Sequence, residues 1–179
     1  MIVILRDLQS RQRSKVIEFG GGESTLAIAA LLKTSASGGT IETIEHDSAF
    51  AEELRGRLAR AALSDIAAVN TAPLRHYPAQ LGFQEFRSYD LAGVDLSFDV
   101  AFVDGPIVDQ FGAATRLVPL RWCMERMKPG RAIYLDDAAR QPERDIVSAL
   151  KPSAAHLRFD LLQAEKGLLK ISMQSTAVG

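Results

Sequence analysis

Cysteine occurs once in these 179 residues, tryptophan once and histidine three times. A single Cys123 excludes an internal disulfide, and its setting in Leu120-Arg121-Trp122-Cys123-Met124 marks it as a core thiol. His46, His76 and His156 are too scattered to make a metal-binding set, and His156 falls in a predicted strand. An excess of one charge is missing as well. Lys and Arg number 21 against 22 Asp and Glu, a net charge of -1, so no global basic field draws the chain to nucleic acid. Arg6, Arg11, Arg13 and Lys15 do cluster, but they alternate with polar residues and read as a solvated helix face. No apolar run is long enough to span a membrane. Met1 to Leu5 is too short even for the apolar core of a signal peptide, so the chain reads as cytoplasmic. Also missing are internal repeats, a Gly-Lys-Ser/Thr phosphate-binding motif and a Ser-His-Asp constellation.

What is present describes an ordinary globular chain, 47% hydrophobic and 24% charged. Its length suits one domain, residues 1–179, with residues 1–14 as an N-terminal helical segment. Strand-like and helix-like runs alternate. The patterning predicts a helix over 4–13, a strand over 15–19, a helix over 24–35 and a strand over 40–45. A helix over 48–63 with Ser48 as its N-cap and a strand over 67–71 follow. The polar, aromatic-containing stretch 73–97 is long for a loop and is expected to hold a short helix. Further strands are predicted at 98–103 and 131–135, with helices over 109–127 and 138–150. Two final strands, 155–163 and 167–173, flank a turn at Ala164-Glu165-Lys166 and should pair as an antiparallel hairpin. Repeated βα units give an α/β fold: a doubly wound, mostly parallel sheet closed by that hairpin.

The most informative stretch is Val16-Ile17-Glu18-Phe19-Gly20-Gly21-Gly22-Glu23-Ser24-Thr25. A strand runs into three glycines, where a ligand can approach the main chain closely, and then into the N–H groups that open a helix. In doubly wound folds the ligand sits at the carboxyl ends of the strands. Those ends carry Glu18, Glu45-His46-Asp47, Asp104-Gly105-Pro106 and Asp136-Asp137. Each carboxylate alone could serve as a helix cap. Glu45 lies where an acidic side chain accepts hydrogen bonds from two ribose hydroxyls, a role that suits NAD and S-adenosylmethionine alike. Gly20 and Gly22 match the dinucleotide fingerprint, but its third glycine position holds Thr25, which weakens the NAD reading.

Taken together, Glu18-Phe19-Gly20-Gly21-Gly22, Glu45-His46-Asp47, Asp104-Gly105-Pro106, Leu135-Asp136-Asp137 and the closing hairpin resemble a class I S-adenosylmethionine-dependent methyltransferase. The resemblance covers Lys15 to Met173. It implies a seven-stranded Rossmann-like sheet whose last strand inserts antiparallel. It also implies that Glu18 and the Gly20–Gly22 loop line the methionine part of the cofactor, while Glu45 binds ribose. Phe19, Ser24, Thr25, His46 and Asp104 complete the expected cofactor set.

Within that superfamily the rim is similar to small-molecule O-methyltransferases that hold Mg²⁺ at the ends of their fourth and fifth strands. The implied ligands are Asp104, Asp136 and Asp137, a hard oxygen set suited to that ion. In the alternative, these carboxylates cap helices or orient substrate directly. Two departures bear on the choice: Gly105, Pro106 and Ile107 stand where such enzymes carry a lysine base, and Asp137 replaces an amide. Candidate catalytic residues are Asp104, Asp137 and Arg140, the last either pairing with the neighbouring carboxylates or reaching an acidic substrate; Arg116 is a weaker candidate for the same crevice. Selectivity is expected from 77–89, from 107–116 or from a second subunit, so a homodimer is compatible with the reading. The expected function is methyl transfer from S-adenosylmethionine to a small-molecule acceptor at oxygen, without nucleic acid or membrane as partner. An NAD-dependent oxidoreductase and a non-catalytic binding module are the competing readings.

Overall fold

A computed structural model describes residues 1–36, 38–107 and 111–174. Its elements in chain order are α1 (Ile2–Ser10), β1 (Lys15–Phe19), α2 (Glu23–Thr34), β2 (Thr40–Glu45), α3 (Ser48–Arg60) and β3 (Ala67–Thr71). After them come β4 (Leu74–Tyr77), β5 (Phe86–Tyr89), β6 (Val100–Val103), α4 (Leu117–Glu125), β7 (Ala132–Leu135), α5 (Gln141–Leu150), β8 (Leu157–Leu162) and β9 (Leu168–Met173). Seven strands form one sheet in the order β3-β2-β1-β6-β7-β9-β8. All neighbours run parallel except β7–β9 and β8–β9, which are antiparallel. The doubly wound sheet with an inserted antiparallel strand is therefore the expected one. The hairpin turn is tied to the end of β7 by bonds from Ala138 N–H to Gly167 C=O (3.1 Å) and Ala139 N–H to Lys166 C=O (2.9 Å).

Residue alternation divides the core into two layers, as a sheet covered on both faces requires. Val16, Ile41, Val100, Phe102 and Tyr134 pack with α1, α2 and α3, through residues such as Ile4, Ile28, Leu32 and Leu54. Ile17, Phe19, Ala101, Val103, Ile133 and Leu135 pack with α4, α5 and β4–β5, through Leu117, Trp122, Cys123 and Ile146. Cys123 is fully buried, as its apolar setting predicted. β6 and β7 are buried at every position, which is why they read as short continuous apolar runs.

Four details differ from expectation. Residues 74–77 and 86–89 form an antiparallel two-stranded ribbon, where a short helix was expected. Tyr77 stacks on Phe86 (5.5 Å between ring centroids, 11° between planes) and donates from its hydroxyl to Tyr89 C=O at 2.8 Å, so cross-strand aromatic packing selects the extended form. Asp47, not Ser48, caps α3, accepting from Ala49 N–H (2.9 Å) and Phe50 N–H (3.0 Å). The helix expected over 109–127 is seen as α4, Leu117–Glu125, with Pro119 in its first turn; its expected start at Asp109 lies outside the described residues. Arg13 does not belong to a solvated face. It is 6% exposed, pairs with Asp7 (2.8 Å), and donates to the carbonyls of Asp99 (2.8 Å) and Gly130, which precede β6 and β7.

Candidate functional site

The sheet changes winding direction between β1 and β6, so the crevice at the carboxyl ends of these strands is the expected ligand position. There the loop after β1 meets the loop after β6. The N–H groups of Asp104 (2.9 Å) and Gly105 (2.7 Å) both bond to Phe19 C=O. Gly20 has φ +90°, and a Cβ on it would stand 2.7 Å from Gly105 N. Glycine is required at that position twice over, by conformation and by the close approach of the two loops.

Glu18 is fully buried, and both of its oxygens are engaged. Ser24 Oγ donates to Oε1, while Thr25 Oγ1 and Thr43 Oγ1 (3.0 Å) donate to Oε2. Burial raises its pKa to about 7, with the three hydroxyls acting in the opposite direction. Thr25 also accepts from Gly22 N–H at 3.0 Å. The residue that spoils the dinucleotide fingerprint thus bridges Glu18 to the glycine loop. Glu18, Ser24 and Thr25 fix the loop's shape from beneath, while the Phe19 side chain lies in the core against Tyr89 (5.9 Å) and Trp122 (5.8 Å).

Glu45, at the end of β2, is 5% exposed and faces the same loop. Its Oε2 accepts from Gly21 N–H (3.1 Å); its Oε1 accepts from the N–H groups of His46 (2.7 Å) and Asp47 (2.9 Å) and lies 2.8 Å from His46 Nδ1. Burial opposes ionisation here, but the bonds from His46, Asp47 and Gly21 prevail and hold the carboxyl below its ordinary pKa. Glu45 is therefore a carboxylate. The His46 ring stands edge-on to Tyr89 (6.0 Å) and Phe111 (5.5 Å). Tyr89 was grouped with the selectivity stretch by sequence alone; the structure buries its ring and brings its hydroxyl beside Gly105, with no hydrogen-bond partner among the described residues. Burial keeps that hydroxyl protonated. A buried, unpaired hydroxyl beside the glycine loop is the kind of group that a bound ligand satisfies.

Asp104, Asp136 and Asp137 end β6 and β7 on the far side of the crevice. They are not gathered as metal donors: among the described residues no group of three or more His, Cys, Asp or Glu could hold a metal ion. Asp104 Oδ1 (3.3 Å) and Asp137 Oδ2 (3.7 Å) turn to the guanidinium of Arg116, which is 4% exposed. Glu143, with a fully buried side chain, faces Arg116 at 3.3 Å. Arg140 pairs with Asp137 at 3.0 Å, consistent with the ion-pair reading. Burial raises the pKa of Asp104, opposed by Arg116 and reinforced by Asp136 and Asp137. The fit of this set to Mg²⁺ is poor, because the Arg116 guanidinium stands between the carboxylates of Asp104 and Asp137. Sequence alone ranked Arg116 low and missed Glu143, since neither ends a strand or falls in a motif.

No described helix is long and apolar enough to cross a membrane. No protein-family model and no curated protein matches the chain in sequence. Solved structures do match in shape. An SAH-bound methyltransferase of Podospora anserina superposes with a TM-score of 0.67 at 15% identity, over 97% of this chain and 77% of its own. The O-methyltransferase TomG of Streptomyces achromogenes, involved in tomaymycin synthesis and solved with SAM, gives 0.66 at 17% identity, over 97% and 78%. An O-methyltransferase of Bacillus cereus in complex with SAH gives 0.63 at 19% identity, over 96% and 79%. With its strand order, inserted antiparallel strand and glycine loop at the switch point, this chain has the fold of the class I S-adenosylmethionine-dependent methyltransferases.

Proposed function

We propose that the chain is an S-adenosylmethionine-dependent methyltransferase acting on a small molecule at oxygen. The observation that carries this reading is the pairing of Glu45 with the glycine loop across the ends of β1 and β2, joined by the Gly21 N–H. That pairing supports the reading, since it sets an ionised carboxylate, suited to accept from ribose hydroxyls, beside main-chain groups able to hold a methionine moiety. The orphaned Tyr89 hydroxyl fits the same ligand as a further polar contact. The proposed cofactor set is Glu18, Phe19, Gly20, Gly21, Gly22, Ser24, Thr25, Glu45, His46 and Asp104, with Glu18, Phe19 and Thr25 acting from beneath the loop.

When bound, S-adenosylmethionine supplies an electrophilic methyl group on a sulfonium. The chain's own contribution is orientation and proton handling. In this reading Asp104 accepts the proton of an acceptor hydroxyl, a role supported by its greater exposure (38%) than that of its partner Arg116. Asp137 and Arg140 line the same side and hold the acceptor in position. The similar structures support the reading, since two of them are O-methyltransferases and all three are bound to SAM or SAH.

Calorimetry with S-adenosylmethionine and NAD tests it directly. Heat is expected with the first and none with the second. Gly20→Val should abolish the signal, because its side chain would press on Gly105. Absence of heat with S-adenosylmethionine at about millimolar concentration, roughly the weak end of useful affinities, overturns the proposal.

A further inference from the structure

Arg116 precedes α4, yet its guanidinium reaches the ends of both β6 and β7. Nη1 donates to Asp136 C=O at 3.0 Å, and Nη2 donates to Asp104 C=O. Around the same group stand Asp104 Oδ1 (3.3 Å), Asp137 Oδ2 (3.7 Å) and Glu143 Oε1 (3.3 Å). Neither carboxylate oxygen of Glu143 has a hydrogen-bond partner among the described residues, so Arg116 is its counter-ion. One buried guanidinium thus collects two strand-end carbonyls and three carboxylates. These are hard oxygen donors of the kind that hold a divalent cation.

A divalent ion would have to contact these oxygens at about 2.0–2.6 Å, in space that Nη1 and Nη2 hold. Arg116 cannot yield that space by losing its proton, because a guanidinium stays charged in proteins. Swinging away would strand a buried cation and a buried Glu143 without partners, which is strongly destabilising for a buried pair. Its planar fork also fixes directions as well as charge.

We infer that Arg116 takes the place of a divalent cation at this rim: it neutralises and spaces Asp104, Asp137 and Glu143, and the acceptor side works without a bound metal. Arg116 is accordingly a positioning residue, shielded from the substrate by the carboxylates that it orders. The inference rests on reading this rim as the acceptor side of a methyl-transfer site, but its test needs no transfer.

The probe is Mn²⁺, followed by loss of the free-ion electron paramagnetic resonance signal. The wild-type chain should leave Mn²⁺ free up to about millimolar concentration, the weak end of protein sites for such hard cations. Arg116→Ala, with folding verified by circular dichroism and thermal melting, should take up one equivalent at least about tenfold more tightly, since it exposes the oxygen set. One-equivalent uptake by the wild type that Asp104→Asn removes overturns the inference, as does a folded Arg116→Ala that takes up none. If Arg116→Ala does not fold, the wild-type and Asp104→Asn titrations decide alone. Failure of S-adenosylmethionine binding would remove the proposed function and leave the Mn²⁺ result standing, so the two failures are distinct. Once an acceptor is in hand, EDTA should leave the wild-type rate unchanged.

Discussion

Glu18→Gln should abolish the pH dependence that Glu18 imposes on folding. The wild-type carboxyl is fully buried, and burial raises its pKa from 4.5 to about 7. The folded state therefore keeps a proton that the unfolded chain gives up. Below the unfolded value both states are protonated and the group contributes no pH dependence. Between 4.5 and about 7 the unfolded state binds fewer protons, so stability falls as pH rises; above that window the loss is complete. Integrated between about pH 5 and about pH 8, the loss is about 2.5 kcal/mol. Gln has the same shape but no proton to lose. The hydroxyls of Ser24, Thr25 and Thr43 can rotate to suit it, at a pH-independent cost of about 1 kcal/mol. The assay is urea unfolding of both chains at the two pH values, followed by the fluorescence of Trp122, which is 7% exposed in the folded state. Other titrating groups cancel in the difference between the two chains. Relative to wild type, Glu18→Gln should gain about 2.5 kcal/mol from the lower pH to the higher. Parallel profiles would refute the claim that burial at Glu18 outweighs its hydroxyl partners.

Glu45→Ala removes a carboxylate that accepts from Gly21, His46 and Asp47, and the affinity for S-adenosylmethionine measured by calorimetry should fall by about tenfold or more. An unchanged affinity would show that the ribose is held elsewhere. Tyr89→Phe deletes a buried hydroxyl that has no partner among the described residues, so the urea midpoint should correspond to a change within about 0.5 kcal/mol while ligand affinity falls about fivefold. A large stability loss with unchanged affinity would make the hydroxyl structural.

The sheet was legible because its strands are short apolar runs that end in acids or glycines, as in Val100–Val103 before Asp104 and Ala132–Leu135 before Asp136. The terminal hairpin was legible from two strand-like runs around a short polar turn. The ribbon at β4–β5 was not, since what fixes it is the stacking of Tyr77 on Phe86, a contact between residues with no periodic signature. The choice of Asp47 over Ser48 as helix cap turns on local backbone geometry that two adjacent polar residues leave undecided. The meeting of the glycine loop with Glu45 was legible because both stand at the carboxyl ends of neighbouring strands. Arg116 and Glu143 were not. Glu143 stands in the first turn of α5, where an acid has an ordinary role toward the helix dipole, and only tertiary packing places it against Arg116. Arg13 went astray for the same reason, because its partners are carbonyls distant in sequence.

Arg13 and Arg116 hold the same two strands from opposite ends: one bonds to the carbonyls of Asp99 and Gly130, the other to those of Asp104 and Asp136. The main chain on either side of the acceptor rim is thereby braced by residues that need not meet a substrate. Ile107, 59% exposed beside this frame, takes no part in the bracing. In the proposed methyl-transfer site, structural integrity and acceptor choice would then fall to different side chains, with exposed positions such as Ile107 free to vary while the frame that holds Asp104 and Asp137 stays as it is.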